Sequence, residues 1–178
     1  MTFHQGTNGR VAVLLPGAVY TPNHPMLYYA RMVLLSQGWS VEEVWWNPED
    51  MGSEDALIST VTSVLDRVAD QNPLVVAKSR GTLALPLAVE RGLPGIWLTP
   101  LLGRPYLVDA LKVATSNNLL VGGTADHFWN SAAAKTSGQE VLEFAGADHD
   151  LAIPGDPVAS VEILGELVAT MKVFVESL

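Results

Sequence analysis

Ser79 stands in the stretch Leu74-Val75-Val76-Ala77-Lys78-Ser79-Arg80-Gly81-Thr82-Leu83-Ala84-Leu85, where a short β-branched apolar run after Pro73 meets an apolar segment with helical spacing. A strand that becomes a helix within about four residues must bend sharply. The residue at the bend then holds a strained backbone and needs small neighbours. Ala77 and Gly81 are small, so the stretch reads as a nucleophile elbow, small-x-Ser-x-Gly, with alanine in place of the usual first glycine. Two more glycine-bearing turns carry polar groups, Gly123-Thr124-Ala125-Asp126 and Gly146-Ala147-Asp148-His149. A serine hydroxyl is a poor nucleophile until a base takes its proton, and a histidine oriented by a carboxylate is such a base.

The elements that must position these groups follow from hydrophobic periodicity. Residues 11–15 are a continuous apolar run ended by Pro16-Gly17, suited to a strand buried on both faces. Pro25 can open a helix that Gly38 stops, and residues 41–46 read as a second strand ending at Asn47-Pro48. Ser53 caps an amphipathic helix to residue 69. Residues 74–78 are the third strand, and the helix that runs on from Gly81 meets Pro86 as a kink or break. Strands at 95–99, 119–123 and 140–144 follow, with helices at 106–114, 127–135 and 158–175. Alternating strands and helices with uninterrupted apolar strands imply one mostly parallel sheet covered on both faces. Ligand sites of such sheets form at the carboxyl ends of the strands. Those ends carry Pro16-Gly17-Ala18-Val19-Tyr20, Ser79-Arg80-Gly81, Asp126-His127 and Asp148-His149-Asp150.

The chain order Ser79, Asp126, His149, each just past a strand end, together with the three glycine-flanked turns, resembles the α/β-hydrolase superfamily over residues 11–175. The resemblance is to a minimal member without the first two antiparallel strands and without a large lid. It implies a single domain over residues 1–178, with six mostly parallel strands in the order 2-1-3-4-5-6 and helices on both faces. It also implies a serine hydrolase, of the carboxylesterase or thioesterase kind, that forms a covalent acyl-Ser79 intermediate. His149 would be the base and Asp126 its partner. The oxyanion would be held by the backbone N–H of Arg80 and by that of Ala18 or Val19. The chain has Pro16-Gly17 where many members carry His-Gly. Tyr20, Lys78, Leu101, Phe128 and Trp129 fall near the same sheet edge and are expected to line a substrate pocket. The loop from Asp126 to Ser137 is too short for a lid, which points to small ester or thioester substrates.

Composition limits the other readings. With 178 residues, 48% of them hydrophobic, the chain can bury one sizeable core. A net charge of −9 with only 10 Lys and Arg argues against a nucleic-acid partner. No apolar stretch approaches the roughly 20 residues of a membrane span, so no membrane partner is expected and the protein is read as cytoplasmic. Zero cysteines exclude a thiol nucleophile and Cys-ligated metal. No metal-ligand spacing, dinucleotide fingerprint or P-loop occurs, and no cofactor is expected.

Other assignments remain open on the sequence. Ser79 and Asp126 could be ordinary helix caps, Asp109 is a second candidate acid, and Asp148 and Asp150 read as turn residues or solvated charges. Lys78 and Arg80 either pair with acids or reach solvent, or else draw in an anionic substrate. The alternative from another class is a non-catalytic member of the same fold that binds a small molecule or a partner; a flavodoxin-like phosphate or cofactor binder is a third. Oligomeric state is undetermined.

Overall fold

The computed structural model describes residues 1–46 and 53–178. Among the described residues seven strands form one sheet: β1 (Thr2–His4), β2 (Val11–Leu15), β3 (Ser40–Glu43), β4 (Leu74–Lys78), β5 (Gly95–Leu98), β6 (Asn118–Gly123) and β7 (Glu140–Phe144), in the order β1-β3-β2-β4-β5-β6-β7. β2 to β7 are mutually parallel, and only β1 runs antiparallel, on β3. The expected order of six parallel strands is therefore observed. The count is corrected to seven, because Thr2 to His4 add a short edge strand with no apolar pattern to announce it. The strand expected at 41–46 is β3, which stops at Glu43; Asn47-Pro48 lies outside the described residues.

Among the described residues six α-helices cover the sheet: α1 (Pro25–Ser36), α2 (Glu54–Arg67), α3 (Leu85–Glu90), α4 (Pro105–Val113), α5 (Ser131–Thr136) and α6 (Pro157–Glu176). Because side chains alternate along a strand, each central strand feeds two cores. Val13, Leu15, Val75, Ala77, Trp97 and Leu120 meet Leu57, Val61, Leu85, Leu107 and Leu111 on one face. Ala12, Leu14, Val76, Ile96, Leu98, Leu119 and Val121 meet Leu27, Leu34, Leu167, Met171 and Phe174 on the other. This two-sided burial is why the strands read as unbroken apolar runs. α1 packs against α6 over one face and α3 against α4 over the other.

Two predicted helices begin later than expected. Ser79–Ala84 is a 3-10 segment, and α3 starts only at Leu85, where Pro86 sits in the first turn and its missing N–H costs nothing. The helix expected from His127 starts at Ser131, because Asn130 caps it by accepting from the Ala133 N–H at 3.0 Å. Among the described residues no helix is long and apolar enough to cross a membrane.

Candidate active site

The turn at Ser79 is held by close packing. Ser79 follows β4 directly and adopts φ = 50°, a left-handed conformation uncommon for a residue with a side chain. Gly81 permits it: a Cβ there would lie 2.4 Å from the Leu15 carbonyl oxygen at the end of β2, so only glycine lets the two chains pass. Gly17, in the turn after β2, is also pressed against the elbow, its would-be Cβ 3.4 Å from Ser79 Cβ.

The turns after β6 and β7 are joined to each other. Thr124 N–H donates to the Phe144 carbonyl at 2.9 Å, Ala125 N–H to the Ala147 carbonyl at 3.0 Å, and Gly146 N–H to Thr124 Oγ1 at 2.8 Å. Gly123 allows this contact, since a Cβ there would stand 2.1 Å from the Ala147 carbonyl oxygen. The result brings Asp126 and His149, each at the end of its own turn, together.

His149 Nδ1 lies 2.8 Å from Asp126 Oδ2, and His149 Nε2 lies 2.7 Å from Ser79 Oγ. An ionised carboxylate can only accept, so the proton of a neutral ring is on Nδ1 and Nε2 accepts from the Ser79 hydroxyl. The Asp126 side chain is wholly buried, and its second oxygen accepts from the Phe128 N–H at 2.9 Å. Asp126 thus caps its own turn while holding the imidazole. Phe128 meets the His149 ring edge to face, 5.0 Å between centroids.

The chain places the remaining expected residues in different settings. Ala18, Val19, Tyr20, Lys78 and Phe128 line a pocket of about 800 Å³ that opens beside Ser79 and His149. Leu101 and Trp129 do not line it. Leu101 packs on the core beneath α3 and α4. Trp129 lies over β6, where Gly122 has no Cβ to displace it, and donates its indole N–H to Glu143 at 2.7 Å. Lys135, then Ser131 and Trp129, hydrogen-bond the Glu143 carboxylate and hold its pKa down to about 2. The Arg80 side chain turns away and donates to the Ser53 carbonyl at 2.7 Å. Asp109 is exposed on α4, paired with Lys112. Lys78 is buried, and its ammonium is 3.1 Å from Asp150, a residue read from sequence as a turn position.

Several lining residues were not anticipated. His24, Pro25 and Met26 come from the start of α1, and Ser160, Val161, Leu164 and Leu167 from α6. The signal available was the helical apolar stripe of each segment, which says that a face is covered but not that it borders a cleft. Among the described residues no group of three His, Asp or Glu side chains forms a metal-ligand cluster.

No family model matches the sequence, and no curated protein matches it. Solved structures do match the fold. Est1E from Butyrivibrio proteoclasticus aligns with a TM-score of 0.80 at 12% identity, over 98% of this chain and 92% of Est1E. The chain has the α/β-hydrolase fold. A structure of Est1E with ferulic acid bound matches at a TM-score of 0.78 and 13% identity, over 99% of this chain and 93% of that one. A lid-less α/β serine hydrolase from Xanthomonas campestris matches at 0.67 and 14%, over 97% and 84%. Within the α/β-hydrolase fold, Ser79, Asp126 and His149 stand after β4, β6 and β7, at one edge of the sheet.

Proposed function

We propose that the protein is a serine hydrolase acting on small esters or thioesters through an acyl-Ser79 intermediate. The observation that carries this reading is the continuous relay from Ser79 Oγ to His149 to Asp126, at 2.7 and 2.8 Å. As the Ser79 oxygen attacks the substrate carbonyl carbon, its proton passes to His149 Nε2. His149 then delivers that proton to the departing alcohol or thiol, leaving the acyl group on Ser79. A water molecule deprotonated by His149 attacks the acyl carbon, and Ser79 leaves with the proton. Asp126 keeps the ring in the required tautomer and stabilises its cationic form.

The developing oxyanion needs donors beside Ser79. We assign these to the backbone N–H of Arg80 and to that of Ala18 or Val19. The closeness of Gly17 to Ser79 supports the assignment, as does the presence of Ala18 and Val19 in the pocket wall. Each donor lowers the barrier by roughly 3 kcal/mol. The pocket wall is mostly apolar, with Met26, Phe128, Leu151, Val161, Leu164 and Leu167, and suits an aliphatic or aromatic group. Est1E binds ferulic acid, an aromatic acid, which makes aromatic acyl esters a fitting part of a substrate screen.

The test is turnover of p-nitrophenyl acyl esters and acyl thioesters by wild type and Ser79→Ala. The wild type is expected to turn over at least one of them, and Ser79→Ala to lose about 10³-fold or more of that rate. Equal turnover by both proteins would refute the assignment.

A further inference from the structure

The mechanism above leaves a buried charge in the pocket wall without a role. Lys78, the last residue of β4, is only 3% exposed although it lines the pocket. A lysine at a cleft ordinarily extends its ammonium to water, because that group is strongly hydrated. Here Nζ donates to Asp150 Oδ1 at 3.1 Å and sits 4.5 Å from the centroid of the Tyr20 ring. Its stem runs along Gly17, where a Cβ would be 3.3 Å from Lys78 Cδ. Burial lowers the ammonium pKa from its usual value, and the carboxylates of Asp150, Asp126 and Asp148 oppose that shift.

The two partners and the neighbouring Ser79 belong to three separate parts of the site. Tyr20 closes the turn after β2, donating nothing to Lys78 but offering its ring face; its hydroxyl accepts from the Met26 N–H at 2.9 Å and so fixes that ring to the start of α1. Ser79 is the next residue in the chain. Asp150 is the residue after His149. The Lys78–Asp150 bond therefore joins the chain neighbours of the Ser79–His149 pair, and all four residues line the pocket. The Asp150 side chain is 64% exposed, so a pair of this kind on the surface would contribute little. With the cation buried, removing Asp150 leaves the Lys78 charge without its carboxylate beside Ser79, and removing the ammonium leaves a gap in the pocket wall.

We propose that Lys78 is a positioning residue, whose ammonium between Asp150 and the Tyr20 ring fixes the His149 turn and the turn at residues 16–20 against Ser79. The proposal rests on the serine-hydrolase reading of the same site.

The experiment follows formation of the Ser79 adduct with a fluorophosphonate over a range of probe concentrations. It compares wild type with Asp150→Asn, Asp150→Glu, Lys78→Met and the double variant Lys78→Met/Asp150→Asn, and records the thermal midpoint of each. Exposed Asp150 can be replaced without opening the core, so its variants remain informative even where Lys78→Met does not fold. The limiting rate is expected to fall about tenfold or more in Asp150→Asn and Lys78→Met at an unchanged half-saturating concentration, since small misplacements of a reacting pair are costly. Asp150→Glu should return to within about threefold of wild type, and the double variant should be no slower than the slower single one. A wild-type rate in Asp150→Asn would overturn the proposal. So would a loss confined to the half-saturating concentration, which would make Lys78 and Asp150 probe-binding contacts, or a loss that glutamate fails to restore. Absence of an adduct in the wild type would instead overturn the hydrolase reading itself, and is seen before any variant is compared.

Discussion

Asp126 carries two duties that can be separated by one atom. Oδ2 faces His149 Nδ1, while Oδ1 accepts from the Phe128 N–H within its own turn. Asp126→Asn keeps the shape but offers an amide, which stabilises the wrong imidazole tautomer and cannot balance an imidazolium. Ester turnover by that variant is expected to fall about 10²- to 10⁴-fold with a near-normal thermal midpoint; turnover within a factor of about three of wild type would show that Asp126 does not orient the base. Ser79, Asp126 and His149 were legible as candidates in the sequence because each follows a strand pattern at a turn with small residues, and the close contacts at Gly81 and Gly123 explain why those residues are glycine. Lys78 was not legible in the same way. Whether a lysine beside a nucleophile reaches water or is buried depends on what lies across from it, and Tyr20 and Asp150 are far away in the chain.

Among the elements, β6 and β7 with their turns form one unit that carries both Asp126 and His149. Trp129 anchors this unit by lying against Gly122 and bonding Glu143 on β7, which also accepts from Lys135 on α5. Glu143 therefore stays ionised in the folded protein down to about pH 2, against 4.5 for an unperturbed glutamate. Its folded-state pKa is depressed, so its contribution to stability is complete above about pH 4.5 and is lost as the pH falls toward 2, where the unfolded chain binds the extra proton first. Glu143→Gln is expected to lower the thermal midpoint near neutral pH and to make its fall between pH 4.5 and 2 shallower than in wild type. Parallel midpoint-versus-pH curves would contradict the assignment. Sequence patterns located both strands but sent Trp129 to the pocket. A residue just past a strand end can turn either way, and the bare backbone at Gly122 decides it for the core side. The short β1 strand escaped for a related reason: with Phe3 exposed and polar neighbours, Thr2 to His4 show no alternation to read.

At the scale of the whole molecule, the alternation of strands and helices, with apolar runs at β2, β4 and β6, made a mostly parallel sheet legible, while the strand order now observed was what the resemblance implied. The pocket did not follow, since about a third of its wall comes from α1 and α6, which pack on each other over one face of the sheet. Its size should therefore respond to α6. Leu164→Trp, by filling the pocket, is expected to shift preference among p-nitrophenyl esters toward shorter acyl chains, lowering kcat/KM for the longest good substrate by about tenfold or more while sparing acetate. An unchanged chain-length profile would place the acyl group elsewhere.

The central claim is that Ser79 is a nucleophile activated by His149. Intact mass after incubation with a fluorophosphonate tests it most directly, with wild type beside Ser79→Ala and His149→Ala. The account predicts a single adduct on the wild type, none on Ser79→Ala, and adduct formation slowed by about 10³-fold or more on His149→Ala. A folded wild type that takes no adduct, or one that is labelled equally well without Ser79, would contradict it.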